Sequence, residues 1–141
     1  MTSTMTVARF TVAYWCVLIA ALLPIVCAGI AKYGTLGKPR REGGFDNNDP
    51  RAWLARQQDW RARANAAQAN SFEGLPFFIG AVIVAHQLGA GQTLLDILAF
   101  VYIVLRLVFI MMYVAGLPTA RSITWTLALL VNVAILFVGY R

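Results

Sequence analysis

Acidic residues are scarce in this chain: six Asp and Glu among 141 residues, against twelve Lys and Arg. None precedes Glu42, so the first long apolar segment carries no carboxylate at all. Charged residues of either sign make up 13% of the sequence, where a soluble domain has about a quarter. That deficit excludes an ordinary water-soluble fold. Cysteine is almost as rare. Cys16 and Cys27 lie on one apolar segment, separated by about 16 Å if that segment is helical. The separation excludes a bridge between them, and both read as buried thiols. No disulfide framework or metal-ligand spacing is present. The single histidine, His86, reads as an interfacial or packing residue.

Apolar residues are what the chain has in excess: 60% of the total, with a mean hydropathy of +0.67. Segments 10–31 and 74–95 are free of Asp, Glu, Lys and Arg, as is 122–140, and 94–116 contains only Asp96 and Arg106. A spanning helix needs roughly 20 mostly apolar residues to cross about 30 Å of hydrocarbon. Four spans fit, at about 8–31, 66–88, 94–116 and 120–140, within one all-α membrane domain covering 1–141. The first is too long in its apolar core, and ends too indistinctly, to be a signal peptide. Pro24 predicts a kink within it.

The formal charge of +6 is unevenly placed, with eight of the twelve basic residues in 32–63. The positive-inside rule places that loop in the cytoplasm and both termini on the opposite side. Nucleic acid is a poor partner for so apolar a chain. Segment 32–50, rich in Gly, Pro, Asn and Asp, reads as irregular, and the basic loop 32–51 is expected to be disordered, a lid, or a contact with anionic lipid. Asp49 and Pro50 suit a helix start, from which one continuous helix to about Leu88 is expected. Thr93-x-x-Asp96 resembles a capping box at the head of the third span. Gly116 and Pro118 mark the end of that span and the start of the fourth.

At 100° per residue, Arg63, Asn70, Glu73 and Phe77 fall in one stripe about 80° wide, bordered by Ala66 and Ala67. Small residues with an asparagine among them serve as glue between membrane helices, which is one reading of Asn70. Glu73 resists that reading, because a carboxylate inside the hydrocarbon edge faces a partner or a wet cavity. Gly74 and Pro76 loosen the helix beside it. Arg106 on the third span is the expected partner, and Tyr102, Phe109 and Tyr113 share its stripe. Arg121 stands near a helix N-terminus, where the dipole disfavours a cation. It is either a topology anchor or part of an anion site. Together these residues outline a pocket at the cytoplasmic end: basic at Arg63, Arg106 and Arg121, hydrogen-bonding at Asn70, Glu73 and Tyr113. Asn132, alone in the fourth span, reads as an interhelical hydrogen-bonding group.

This pattern resembles the MAPEG family, the membrane-associated proteins of eicosanoid and glutathione metabolism. Its second-helix motif runs Glu-Arg-x-x-Arg-Ala-x-x-Asn-x-x-Glu, with a proline soon after. Arg63, Ala67, Asn70, Glu73 and Pro76 match it here. Arg106 and Tyr113 match the third-helix arginine and tyrosine seven residues apart, and Leu117-Pro118 leads to Arg121 as in the family's fourth helix. The resemblance implies a left-handed four-helix bundle assembled as a homotrimer, with glutathione between subunits near the cytoplasmic face. By position, Asn70 and Glu73 would hold glutathione's polar ends, Arg63 and Arg106 would contribute to the same site, Tyr113 would line it, and Arg121 would stabilise the thiolate. Two positions depart from the motif: its leading glutamate is Ala62, and its second arginine, a glutathione ligand in the enzymes, is Ala66. Arg56 and Arg61 are the nearest cations to stand in for it.

Two functions are therefore expected from different classes. One is a glutathione-dependent transferase or peroxidase acting on hydrophobic electrophiles that arrive through the bilayer. The other is a non-catalytic member of the family that binds a lipid or scaffolds partners. A small four-span exporter fits less well, since such proteins usually carry an essential glutamate in the first span.

Overall fold

The computed structural model describes residues 9–141, which form five α-helices and one 3-10 turn, with no strand among them. Four helices are long and apolar enough to cross a membrane: α1 (Val12–Lys32), α3 (Asp59–Gln87), α4 (Gln92–Val114) and α5 (Pro118–Phe137). The short α2 (Pro50–Ala55) precedes α3. The expected start of the first span at Ala8 lies outside the described residues. At about 1.5 Å per residue, the 29-residue α3 exceeds the hydrocarbon thickness of about 30 Å by nearly half, so its first turns stand in the interface.

Helices α3 and α4 contact each other and both outer helices, α1 packing chiefly on α3 and α5 on α4. The α1–α3 contact is built from small residues. Ala13, Cys16, Ala20, Leu23, Cys27 and Ala31 are buried on one helix, Ala64, Ala67, Ser71, Phe78, Ala81 and Ala85 on the other. These steps of three and four are the spacing of a left-handed helix crossing, and small side chains allow the backbones to approach. The outward faces are the reverse, with Leu18, Leu22, Ile25, Phe100, Leu107 and Leu130 all exposed. In water such a surface would aggregate; in lipid it is matched to its solvent.

Two local expectations change. The continuous helix from Pro50 is broken at Arg56–Gln58, and Asp59 opens α3 with φ +54°. The break folds α2 back so that Trp53 and Leu54 are buried against Ala31 and Ala64. Asp49 caps α2 through the Ala52 N–H (3.2 Å), as its sequence context predicts. Asp96 does not cap α4, whose N-cap is Gly91. Its carboxylate instead accepts the Ala13 N–H at 3.0 Å, near the N-terminus of α1, and the Gln92 side-chain amide at 2.7 Å. Thr11, the N-cap of α1, accepts the Tyr14 N–H and bonds His86 Nε2 at 2.8 Å, with the His86 ring stacked on Tyr14. Asp96→Ala is therefore expected to destabilise the protein by about 1–2 kcal/mol, and Asp96→Asn by less, because a carboxylate at a helix N-terminus gains from both the hydrogen bond and the dipole. Thermal unfolding in detergent measures the order.

The 33–49 segment is folded rather than loose. Phe45 takes Lys32 over its ring and packs edge-on against Trp53, while Arg40 pairs with Asp46 at 3.2 Å. Arg61 donates to the carbonyls of Ala31 and Tyr33 at 2.8 and 2.6 Å, a cation at the C-terminus of α1.

Candidate functional site

At the end of the bundle that carries α2 and the α4–α5 connection, α3, α4 and α5 enclose a polar trench. Three adjoining hollows make it up. The outermost, about 260 Å³, is lined by Arg63, Tyr113, Gly116, Pro118 and Arg121. The middle one, about 440 Å³, lies between Asn70, Phe109, Tyr113, Arg121, Ser122 and Trp125. The innermost, about 210 Å³, is lined by Asn70, Glu73, Tyr102, Arg106, Trp125 and Asn132. Tyr113 and Arg121 join the first two, and Asn70 and Trp125 join the second to the third. All six residues singled out in the sequence thus line one continuous feature.

Local structure positions each of them. Arg63 donates through Nε to the carbonyl of Val114 at 3.0 Å, tying α3 to the C-terminus of α4. Gly116 follows at φ +75°, and a Cβ there would lie 3.4 Å from the Arg63 guanidinium carbon. The left-handed conformation favours glycine at that point, and the Arg63 guanidinium packs against it. Arg121, in the first turn of α5, holds its guanidinium 4.5 Å from the Tyr113 ring centre. Among the described residues it has no carboxylate partner.

Arg106 is a buried cation. It is 4% exposed, donates to Asn70 Oδ1 at 2.8 Å and Ser71 Oγ at 3.5 Å, and lies over the Phe109 ring. The expected Glu73–Arg106 ion pair is not formed. The two ion pairs among the described residues are Arg40–Asp46 and Arg41–Glu42. The reason is angular. Asn70 and Ser71 present the face of α3 that meets Arg106, whereas Glu73 lies on the far side of Asn70 from Ser71. Glu73 is exposed and lines the innermost hollow without reaching the guanidinium. A buried guanidinium with no anion beside it is costly in lipid.

Among the trench residues that were not site candidates in the sequence are Ser122, Trp125 and Asn132. Ser122 and Trp125 flank and follow Arg121 on α5, and the i, i+4 relation of Trp125 to Arg121 is the signal that identifies it. Asn132 was expected to bond a neighbouring helix. It is 3% exposed, lines the innermost hollow, and its Oδ1 has no hydrogen-bond partner among the described residues. Arg61 cannot stand in for the arginine missing at 66, because it is engaged with the end of α1. No group of His, Cys, Asp and Glu suited to a metal occurs among the described residues.

The chain matches the model of the MAPEG family over residues 12–140, nearly its whole length. No curated protein and no solved structure matches it.

Proposed function

The chain belongs to the MAPEG family, and we propose that it is a membrane-bound glutathione-dependent transferase whose site is the trench between α3, α4 and α5. The protein is an integral, multi-pass membrane protein of the kind that serves eicosanoid and glutathione metabolism. The observation that carries the reading further is Arg106, a buried cation with no ion pair among the described residues, in the hollow adjoining that of a second such cation, Arg121. An elongated ligand with carboxylates, an ammonium and a thiol answers that arrangement. The chemistry of the donors fits glutathione. Arg63 and Arg106 offer guanidinium groups to its carboxylates, Asn70 an amide, and the exposed Glu73 a carboxylate to its ammonium.

Bound glutathione supplies a sulfur nucleophile: the thiol proton leaves to solvent, and sulfur bonds an electrophilic carbon whose electron pair is then protonated or departs with a leaving group. Arg121 contributes the electrostatics. A thiol near 8.5 is mostly protonated at neutral pH, and a neighbouring guanidinium at a helix N-terminus lowers it. Tyr113 stacks on Arg121 and holds it over the middle hollow. Trp125 lines the inner side of that hollow and offers an apolar surface beside the reacting sulfur. In this reading the protein is a homotrimer, a neighbouring subunit covers the open side of the trench, and the 32–63 loop faces the cytoplasm. The acceptor is a hydrophobic small molecule that enters from membrane lipid.

Glu73→Gln tests the assignment of the ammonium. Because Glu73 forms no ion pair among the described residues, its stability is expected to be unchanged. Glutathione affinity, measured by calorimetry on detergent-purified protein, is expected to fall about tenfold for the lost charge-assisted contact. Turnover of glutathione with an apolar enal, recorded in the same preparation, tests the activity itself. Glutathione binding without turnover, or no binding at all, would move the protein to the lipid-binding branch of the family.

A further inference from the structure

We infer that the Tyr102 hydroxyl is a further binding group of the trench, donating to a carboxylate beside Arg106 at the γ-glutamyl end of glutathione; the inference rests on the proposed glutathione site. Tyr102 is 4% exposed, and its ring is stacked on Phe78 with the centres 4.2 Å apart. That stack fixes where the hydroxyl goes. It stands over Gly74 of α3, where an added Cβ would lie 3.5 Å from it. Gly74 and Tyr102 both line the innermost hollow, of about 210 Å³. The hydroxyl forms no hydrogen bond among the described residues. Nor is it fully enclosed, since Asn132 Oδ1 is the one enclosed side-chain polar atom without a partner among them. It therefore keeps open surface, and the hollow beside Gly74 provides it. Buried polar groups, above all in a membrane span, are nearly always paired. A ligand with an acceptor at this point completes the pairing.

Arg106 follows Tyr102 by four residues on α4, so guanidinium and hydroxyl belong to one helix face and line one hollow. A cation and a neutral donor placed together suit a carboxylate better than a neutral carbonyl, because hydrogen bonds to an ionised acceptor are the stronger ones. Glu73, the residue before Gly74, lines the same hollow. Partners for a carboxylate and for an ammonium thus meet in one small space. The complement is an α-amino acid head, with both charges on one carbon. In glutathione that is the γ-glutamyl end, since the glycine end carries a carboxylate alone. The hollow is smaller than the roughly 300 Å³ at which pockets begin to enclose whole ligands, so it holds that end only. The thiol then falls in the middle hollow with Arg121, and the glycine carboxylate in the outermost with Arg63. Tyr102 binds and orients the ligand and takes no part in the chemistry at sulfur.

The test crosses Tyr102→Phe with glutathione analogues, by calorimetry on detergent-purified protein. Tyr102→Phe removes one oxygen and keeps the stack on Phe78, so thermal unfolding and assembly are expected to be unchanged. Glutathione affinity is expected to fall about tenfold or more, the loss of one hydrogen bond to a charged group. The glycine ethyl ester of glutathione should lose the same factor, because its γ-glutamyl end is intact. 4-Aminobutanoyl-cysteinyl-glycine lacks only the γ-glutamyl carboxylate, and should bind wild type and Tyr102→Phe with equal, reduced affinity. Unchanged glutathione affinity in Tyr102→Phe would overturn the inference and leave the transferase reading in place. A loss that persists with the 4-aminobutanoyl analogue would also overturn it, since a merely structural tyrosine weakens every ligand alike. Should wild type bind no glutathione, the transferase reading falls, and decanoate, kept ionised at alkaline pH in phosphatidylcholine nanodiscs, tests the carboxylate donor by itself. Its binding is followed by the emission of Trp125, which lines the same hollow, taken as the difference from Trp125→Phe. About tenfold weaker binding in Tyr102→Phe would leave the carboxylate subsite standing; equal binding would overturn it.

Discussion

Replacing Arg121 by alanine is expected to lower the rate of glutathione conjugation by about 10²–10³, the usual effect of removing one preorganised electrostatic stabiliser. The fold should tolerate the change. Arg121 has no ion pair among the described residues, and its packing partner, Tyr113, is also held edge-on by Phe109. The expected loss is in kcat rather than KM, because the guanidinium acts on the sulfur more than on the peptide ends of the ligand. The pH profile provides the sign. With Arg121 present, the thiol ionises below its solution value and the rate reaches its plateau near neutrality. In Arg121→Ala the plateau moves to higher pH, by about one unit for each 1.4 kcal/mol of lost stabilisation. Arg121→Lys keeps the charge but loses the planar fork, and is expected to recover part of the rate. A profile unmoved in Arg121→Ala would remove that residue from the chemistry and return it to a topology anchor.

Arg106→Met is expected to split stability from binding. The wild-type guanidinium is buried without a carboxylate and is satisfied only by Asn70, Ser71 and the Phe109 ring. A charged side chain at the centre of a membrane helix is unfavourable by about 2.5–3.5 kcal/mol on insertion scales. An apolar side chain of similar length in its place often stabilises a protein. Thermal unfolding should therefore occur at the same temperature or higher. Glutathione binding should weaken by about 100-fold, since the buried cation that an anionic ligand would pair with has gone and Asn70 is released from its position. If Arg106→Met lowers stability sharply and leaves binding intact, Arg106 is an internal strut and the trench lacks its main anion partner.

Most of this site is legible in the sequence, because membrane helices write polar positions against an apolar background. Arg63, Asn70 and Glu73 stand out by their shared stripe, and Arg106 by its charge within an otherwise apolar span. The partner of Arg106 is not legible to the same degree. Opposite charge points to Glu73, but a rotation of about 60° around the helix decides between Glu73 and Asn70, and only the packing of α3 on α4 fixes it. Asp96 shows a related limit: a carboxylate near one helix start caps another 83 residues away, and local spacing cannot tell the two apart. The α2–α3 break is invisible for a different reason. Residues 50–88 have helical character throughout, and the burial of Trp53 and Leu54 outweighs continuation of the helix. Asn132 looks like interhelical glue in the sequence, and its missing partner emerges only once the surrounding side chains are placed.

The central claim is that the trench binds glutathione and ionises its thiol. The most direct measurement is a glutathione titration of the detergent-purified protein, following ultraviolet thiolate absorbance and heat together, with Arg121→Ala in parallel. The account predicts saturable binding with a thiolate signal at neutral pH in wild type, and binding with the signal abolished in Arg121→Ala. No saturable heat at millimolar glutathione, or binding with no thiolate in wild type, would contradict it.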